Sequence, residues 1–361
     1  MVSFLLPPMD THILDRPEVY SSVDRADMFK SIVSLPYQLE KGWELTSRLN
    51  GMPGYPIPST FLISGMGGSA IGGDLFHDVI DRCTTVGVLV NRNYTLPKHI
   101  GEGSLHIAVS YSGNTEESVT SLRDAVRRKI PSIVIASGGE LEKISNEQGL
   151  PFIRMPAGLQ PRAAVGYMLG SIIGIATRLS VYDFSSLVMD GVQSARTAIA
   201  SLSKDVPMDR NAAKKNAAWI GDKTPLIITT PGLYSLGERM KTQFNENSKK
   251  FAWLSVLPEL NHNEWIPMME SDLTPYRIFL IEDNTGHPLM IRRLGVVKRL
   301  LSSRTEITSL KLDGGNPLSS FLKLMALGDL TSYYLAILRN TDPSPVAPIE
   351  ILKKEISSSS A

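Results

Sequence analysis

The chain has 361 residues, 42% of them hydrophobic, which is enough for two α/β domains with packed cores. Its 37 lysine and arginine residues nearly balance 36 acidic ones, without long runs of like charge, which argues against a nucleic-acid or membrane partner. Cys83 is the only cysteine, so an internal disulfide framework is excluded and a reducing, cytoplasmic location is expected. We therefore expect a small-molecule partner.

The N-terminal stretch shows the pattern of a helical lead-in rather than that of a targeting signal. Residues 1–8 have a brief apolar patch without basic residues, and we expect no segment of membrane-spanning length. Apolar residues recur every three or four positions across residues 24–49, which predicts helix. Pro36 should break this stretch into two helices, and a turn is predicted at residues 51–58. We expect the lead-in to pack on the sheet that follows.

Short apolar runs that alternate with helical stretches predict a parallel sheet in the first half. Strands are expected at residues 60–64, 84–90, 105–110, 132–136 and 152–154, and helices at residues 115–129 and 163–178. Ligands of a doubly wound sheet bind at the carboxyl ends of its strands. The site should therefore lie in the loops after these strands.

The loop after the first strand is rich in glycine, so its backbone N–H groups can approach a ligand closely. A dinucleotide loop is the rival interpretation. Its G-x-G-x-x-G spacing would place Ala70 at the third glycine, however, and Asn91 and Arg92 stand where an acidic residue should close the next strand. Tight helix-on-strand packing is the purely structural alternative. Phosphate binding is preferred, because a second polar loop converges on the same sheet edge.

That second loop carries three hydroxyl side chains, Ser110, Ser112 and Thr115, before an acid-rich helix start. A helix N-terminus has unpaired N–H groups and the positive end of the helix dipole, so it favours an anion. Hydroxyl groups add donors to phosphate oxygens without adding charge. Simple capping of the helix by these side chains remains an equal alternative at this point.

A domain boundary is predicted near residues 205–209, giving a first domain of residues 1–205 and a second of residues 206–361. The second half repeats the order of strand, glycine turn and helix. Its strands are expected at residues 225–230, 276–282 and 306–312, and its helices at residues 211–220, from about 236, 286–303, 316–339 and 348–356.

Gly65-Met-Gly-Gly-Ser69 and Ser110-Tyr-Ser-Gly-Asn-Thr115 together resemble the sugar isomerase (SIS) domain, a flavodoxin-like fold that binds phosphosugars. Further stretches extend the match over nearly the whole chain: Pro161-Arg162, Lys241-Thr-Gln-Phe-Asn-Glu246-Asn, Pro258-Glu-Leu-Asn-His262-Asn-Glu264, and segments within residues 328–335 and 342–353. The chain therefore resembles the bifunctional phosphoglucose/phosphomannose isomerase family of the phosphoglucose isomerase superfamily. This resemblance implies two flavodoxin-like, doubly wound parallel-sheet (SIS) domains. It also implies a substrate phosphate site made by Gly68, Ser69, Ser110, Ser112 and Thr115.

The same resemblance implies a catalytic base and a ring-opening histidine. Glu246 matches the family's base, which moves a proton between C2 and C1 of the open-chain sugar through a cis-enediol. Spacing alone instead favours an exposed glutamate paired with Lys249 and Lys250. His262 matches the histidine that opens the sugar ring, although pattern alone favours a turn histidine without function.

Two cationic residues complete the implied site. Arg162 would stabilise negative charge on the enediolate oxygens, and the alternative interpretation is an arginine on the protein surface without a role in the site. Lys353 would reach the sugar from the last helix. Its neighbour Lys354 points about a quarter turn away, so only one of the two can face inward, and Lys353 is chosen.

The implied activity is the interconversion of glucose 6-phosphate and mannose 6-phosphate with fructose 6-phosphate. Members of the family generally act as dimers, which implies a homodimer in which His262 reaches the partner's site. No cofactor is implied, and no metal site is expected because the six histidines are scattered. The alternatives are an isomerase restricted to one hexose phosphate and a non-catalytic phosphosugar sensor, and the sensor would dispense with a base.

Overall fold

The computed structural model describes residues 10–47, 49, 55–101 and 103–359. Within these residues the chain forms two parallel β-sheets, and a layer of helices lies between them. Residues 1–8 and the first half of the turn predicted at residues 51–58 lie outside the described residues.

Five parallel strands form the first sheet in the order β2-β1-β3-β4-β5. Their bounds are β1 Thr60–Ser64, β2 Gly87–Asn91, β3 Ser104–Ser110, β4 Ser132–Ala136 and β5 Phe152–Arg154. All five predicted strands are confirmed, although β2 begins three residues later than expected. Because β1 lies between β2 and β3, the winding direction reverses there, and the loops after β1 and β3 flank the resulting crevice.

Eight helices belong to this half of the described chain. They are α1 Pro17–Val23, α2 Met28–Val33, α3 Leu35–Thr46, α4 Gly68–Ile80, α5 Glu116–Arg127, α6 Gly139–Gln148, α7 Val165–Arg178 and α8 Ser185–Ser201. The predicted break at Pro36 is confirmed, since this residue lies in the first turn of α3, where a missing N–H leaves no helical bond unmade. Helix α6, a polar helix in which few apolar side chains are buried, and helix α8 were not predicted from the sequence.

Helix α3 of the lead-in packs mainly on α7 and α8 and meets the sheet at its edge strand β5, so the expectation that the lead-in packs on the sheet holds only at that edge. The two helix backbones approach each other unusually closely. A Cβ atom at Gly170 would lie 2.2 Å from the carbonyl oxygen of Leu39, and one at Gly42 would lie 2.3 Å from that of Tyr167. These glycines are therefore required by helix-on-helix packing, a contact that the apolar periodicity of α3 cannot reveal.

Four parallel strands form the second sheet in the order β7-β6-β8-β9, which repeats the arrangement around β1. The strands are β6 Thr224–Thr229, β7 Trp253–Val256, β8 Tyr276–Glu282 and β9 Ile307–Lys311. The helices are α9 Ala212–Ile220, α10 Tyr234–Glu246, α11 Leu260–Asn263, α12 Trp265–Glu270, α13 Pro288–Leu301, α14 Pro317–Leu338 and α15 Ala347–Ser359. β7 was not predicted, because it is a four-residue edge strand. Two doubly wound parallel sheets agree with the predicted fold class, and the boundary at residue 205 stays a prediction.

α14 is the central helix between the two halves and packs on α8, α9 and α10. Among the described residues it is the helix that is long and apolar enough to cross a membrane by length and composition. The expectation that no segment reaches this length is therefore wrong for α14. In this structure, however, 83% of its apolar window is buried inside the protein, as is typical of a core helix that is hydrophobic all round.

His106 lies in the middle of β3 and is fully buried. Its Nε2 atom lies 2.9 Å from the hydroxyl of Ser64, and its Nδ1 atom lies 3.4 Å from that of Ser132. Burial lowers the pKa of His106 to about 3, because a low-dielectric interior disfavours the imidazolium, and the charge of Asp124 opposes this only in part. The first sheet therefore contains a histidine that stays neutral at ordinary pH.

Acidification should weaken the fold through His106. An unfolded histidine titrates near pH 6.5, so between that pH and about 3 the unfolded chain binds the extra proton and the free energy of unfolding falls as the pH is lowered. His106→Gln keeps a polar group opposite Ser64 but does not titrate. Urea denaturation measures the free energy of unfolding of the variant and of the wild type. We expect the variant to be less stable than the wild type at pH 7, and this difference to become smaller at pH 5 because only the wild type loses stability through His106. The exposed His99→Gln is the control, and a pH-independent deficit for His106→Gln would contradict this account.

Candidate active site

The loops after β1 and β3 lie side by side and bring hydroxyl groups together. The backbone N–H of Tyr111 donates to the hydroxyl of Ser69, at the start of α4, over 3.2 Å. In the second loop the hydroxyls of Ser110 and Thr115 are 2.8 Å apart, and the N–H of Gly113 donates to Ser110 Oγ at 3.1 Å. The starts of α4 and α5 therefore meet at one polar cluster.

Helix capping does not account for this cluster. Thr115 occupies the N-cap position of α5, yet within the described residues its side chain makes no capping hydrogen bond and is paired with Ser110 instead. Ser112 is exposed and accepts a bond from the N–H of Asn114 at 3.3 Å, within the loop. The capping alternative is therefore wrong for Thr115, and the Ser112 hydroxyl is accessible to a ligand.

Both loops contact the segment that precedes α7. A Cβ atom at Gly68 would lie 2.7 Å from the backbone nitrogen of Arg162, so only glycine permits this approach. The hydroxyl of Tyr111 accepts from the N–H of Leu159 at 2.7 Å and donates to the carbonyl of Pro156 at 2.9 Å. The hydroxyl cluster and Arg162 are thus parts of one packed unit.

The side chain of Arg162 is buried, so the surface-arginine alternative is wrong. Its guanidinium donates to Asn247 Oδ1 at 2.8 Å, to Glu246 Oε2 at 3.1 Å and to the carbonyl of Pro343 at 2.7 Å. Burial lowers the pKa of Arg162, and the carboxylate of Glu246 acts in the opposite direction. One cation therefore joins three separate segments of the chain.

Glu246 ends α10 with its side chain 29% exposed, so its carboxylate is held by Arg162 and still reaches solvent. The exposed glutamate paired with neighbouring lysines is not observed. Lys249 Nζ instead donates to the backbone carbonyl of Glu246 at 2.6 Å, and Lys250 Nζ donates to the carbonyl of Asp222 at 2.5 Å. Glu246 is the accessible carboxylate beside a buried cation.

A largely apolar cavity of about 440 Å³ lies against Glu246, between the end of α10 and the start of α15. Its lining residues are Asn245, Glu246, Lys249, Lys250, Phe251, Pro345, Val346, Pro348 and Ile349. Lys353 and Lys354 follow in α15, and both are exposed, so exposure does not separate them. The start of α15 and the Glu246 side chain therefore line the same cavity.

His262 stands apart from this assembly in the single chain. It lies on α11, beyond the edge strand β7, and is exposed. Among the described residues, the hydrogen bonds of Arg162 and of the Glu246 carboxylate do not include it. Within the described part of one chain, the hydroxyl cluster, Arg162 and Glu246 therefore come together, whereas His262 lies on a different helix.

Sequence reasoning missed Asn247 and Tyr111. Asn247 is fully buried, and its side-chain oxygen accepts a hydrogen bond from Arg162. Its side-chain nitrogen donates to the hydroxyl of Ser332 on α14 at 2.9 Å. Both residues stand inside the quoted motifs, but their partners lie tens of positions away, so no local signal reveals their function. The described residues contain no group of three or more His, Cys, Asp or Glu side chains placed to hold a metal ion.

Comparison with known proteins adds to this geometry. Residues 209–356 match the family described as the bacterial phospho-glucose isomerase C-terminal SIS domain. The D-glucosamine-6-phosphate 4-epimerase of Sulfolobus acidocaldarius is 32% identical over 216 residues, which are 59% of this chain and 65% of that protein. The C-terminal domain of glucosamine-fructose-6-phosphate aminotransferase from Francisella tularensis shares the fold, with a TM-score of 0.69 at 15% identity, over 88% of this chain and 98% of that one.

Another relative is similar over most of the chain. The bifunctional phosphoglucose/phosphomannose isomerase of Caldicellulosiruptor bescii is 33% identical over 338 residues, which are 91% of this chain and 98% of that protein. The chain therefore belongs to the bifunctional phosphoglucose/phosphomannose isomerase family of SIS-domain proteins.

Proposed function

We propose that this protein is an aldose–ketose isomerase that interconverts glucose 6-phosphate and mannose 6-phosphate with fructose 6-phosphate. The observation that carries the proposal is the accessible carboxylate of Glu246, held 3.1 Å from the buried guanidinium of Arg162 beside a cluster of hydroxyl groups. The name of the Caldicellulosiruptor relative supports the same activity. A phosphosugar sensor would have no use for such a carboxylate.

The substrate phosphate binds where α4 and α5 begin. Gly68 and Ser69 open α4, and Ser110, Ser112 and Thr115 form the loop that opens α5. Helix N-termini present backbone N–H groups and a positive dipole end to an anion. Hydroxyl groups add neutral donors, so the phosphate is held without a fixed positive charge that would slow its release.

Glu246 acts as the base and Arg162 as the electrostatic partner. The carboxylate removes the proton at C2 of the open-chain aldose and returns it to C1, through a cis-enediol. The negative charge that develops on the enediolate oxygens is stabilised by Arg162, whose guanidinium is fixed in advance by Asn247 and the carbonyl of Pro343. Lys353, on the helix that follows the cavity, contacts the sugar.

Activity should depend on the Glu246 carboxylate. Glu246→Gln keeps an oxygen for Arg162 but loses the base, so we expect turnover to fall by at least ~10²-fold. A coupled assay with glucose 6-phosphate and mannose 6-phosphate measures the turnover. The control variant is Glu238→Gln, which removes a glutamate on the same helix that forms an ion pair with Lys241. Glucosamine 6-phosphate belongs in the panel because of the epimerase relative. Turnover of that sugar alone, or more than a tenth of the activity left in Glu246→Gln, would refute the assignment.

The hydroxyl loop should contribute to affinity more than to turnover. A hydrogen bond to a charged group contributes about 1.5–3 kcal/mol, so we expect Ser112→Ala combined with Thr115→Ala to weaken fructose 6-phosphate binding by roughly 10²-fold or more. Calorimetric titration in the Glu246→Gln background measures binding without turnover. Thr120→Ala, a hydroxyl farther along α5, is the matched control. Unchanged affinity in the double variant would exclude a phosphate site there.

A homodimer supplies His262 to the partner's site in this proposal. His262 is exposed on α11, and several apolar side chains near it or on the adjacent helices are exposed as well: Ile266 by 70%, Leu289 by 59%, Val296 by 40% and Leu300 by 38%. A cavity of about 380 Å³ lined by Trp265 and residues of α13 lies on this face. Beside it, the Arg293 guanidinium donates a hydrogen bond to Asn261 Oδ1 at 3.0 Å. A contiguous apolar surface beside a polar rim is typical of a protein–protein interface.

Mixing two inactive variants tests this arrangement. If His262 acts across the interface, a dimer of one Glu246→Gln chain and one His262→Ala chain contains one doubly altered and one intact site. Statistical exchange of subunits should then restore about a quarter of wild-type activity. If His262 acts within its own chain, every site carries one lesion and the mixture stays inactive. That result, or a monomer by light scattering, would contradict the proposal.

A further inference from the structure

We propose that Lys249 is a positioning residue that fixes the end of α10, and with it Glu246, to residues 341–346, a segment we call the strap. The strap leads directly into α15, which carries Lys353. The inference rests on the proposed function of Glu246 and assigns a task to a side chain that this function does not use.

Lys249 bridges two backbone carbonyls. Its Nζ atom donates to Glu246 O at 2.6 Å and to Pro343 O, in the strap, at 3.0 Å. The same Pro343 carbonyl also accepts from Arg162 at 2.7 Å. Glu246 is thus held twice, by its carboxylate through Arg162 and by its backbone through Lys249, and both cations share one acceptor in the strap.

The backbone at Lys249 supports a use for its side chain. Lys249 has φ +51°, in the left-handed region that L side chains disfavour, three residues after the end of α10. Glycine is the residue usually found where a chain turns in this way after a helix. A lysine at this position is conformationally less favourable than glycine, but it forms two hydrogen bonds that glycine cannot form.

The charges around Lys249 give the contact a dependence on pH. Arg162 from the segment before α7, Glu246 from α10 and Asp342 from the strap act on its ammonium. Burial, then the charge of Arg162, lower the pKa of Lys249 to about 8, while the two carboxylates oppose this change. The ammonium therefore loses its charge just above neutral pH, and its bonds to both carbonyls become weaker.

Lys250 provides a matched control. It is the next residue, carries the same charge and lines the same cavity, but its Nζ donates to the carbonyl of Asp222 at 2.5 Å. A general loss of positive charge near Glu246 would affect both lysines. A specific connection to the strap would affect Lys249 alone.

Three variants test the proposal: Lys249→Gly, Lys249→Arg and Lys250→Ala. Glycine accepts the left-handed backbone, which offsets part of the loss of the two hydrogen bonds, so the melting temperature of Lys249→Gly should stay within a few degrees of that of the wild type. Its kcat should fall by ~10- to 100-fold, since a displaced base loses its alignment, with KM for fructose 6-phosphate within about 3-fold because the hydroxyl loop is intact. Lys250→Ala should keep the wild-type kcat. A kcat for Lys249→Gly within twofold of wild type, or an equal loss in Lys250→Ala, would overturn the proposal.

Two further readouts separate positioning from simple stability. The wild-type kcat should decline above about pH 8, and Lys249→Arg, which stays charged, should move this decline to higher pH. Hydrogen exchange of the strap should be faster in Lys249→Gly and unchanged in Lys250→Ala. This last measurement needs no substrate, so an inactive wild-type enzyme would refute the proposed function while exchange still decides whether Lys249 holds the strap. An unaltered exchange rate would refute the positioning role.

Discussion

The buried guanidinium of Arg162 is the interaction on which the rest of the site depends. Removing a charged group from water costs several kcal/mol unless it is paired and fully hydrogen-bonded. Here the cost is offset by the carboxylate of Glu246, the amide of Asn247 and the carbonyl of Pro343. Because those acceptors come from the end of α10, from the residue that follows it and from the strap, the two halves of the protein must be docked for the hydrogen bonds of Arg162 to form. Docking and assembly of the site are therefore one event.

A second buried ion pair holds this arrangement from behind. Arg239 of α10 lies 2.6 Å from Asp329 of α14 and donates to the backbone carbonyl of Arg162 at 3.2 Å. Burial raises the pKa of Asp329, while the charge of Arg239 opposes this. The backbone of Arg162 is fixed from one side and its side chain from the other. The core helix α14 thus provides polar anchors as well as apolar surface.

The two similar sheets carry different tasks. The first sheet presents two polar loops at its switch point, whereas the second contributes the carboxylate at the far end of α10. The turn that follows β6, corresponding to the glycine loop after β1, contacts the first half of the chain, because Arg82 donates to the carbonyl of Gly232 at 3.3 Å. Arg82 also donates at 2.7 Å to Asp283, which follows β8. The second sheet therefore has a similar strand order to the first but uses the corresponding turn to contact the first half of the chain.

Apolar runs, turn residues and contiguous motifs are local properties of the chain, so the sequence alone was enough to predict the parallel strands of the described chain except β7, the two polar loops and the family. That Arg162 is buried and pairs with Glu246, 84 positions away, follows from the packing of distant segments in three dimensions. The same packing places α3 against α7, adds β7 as an edge strand of the second sheet, and leaves His262 on a different helix from the Glu246 carboxylate. Each of these depends on which surfaces pack together, and packing between distant segments leaves no periodic trace in either segment.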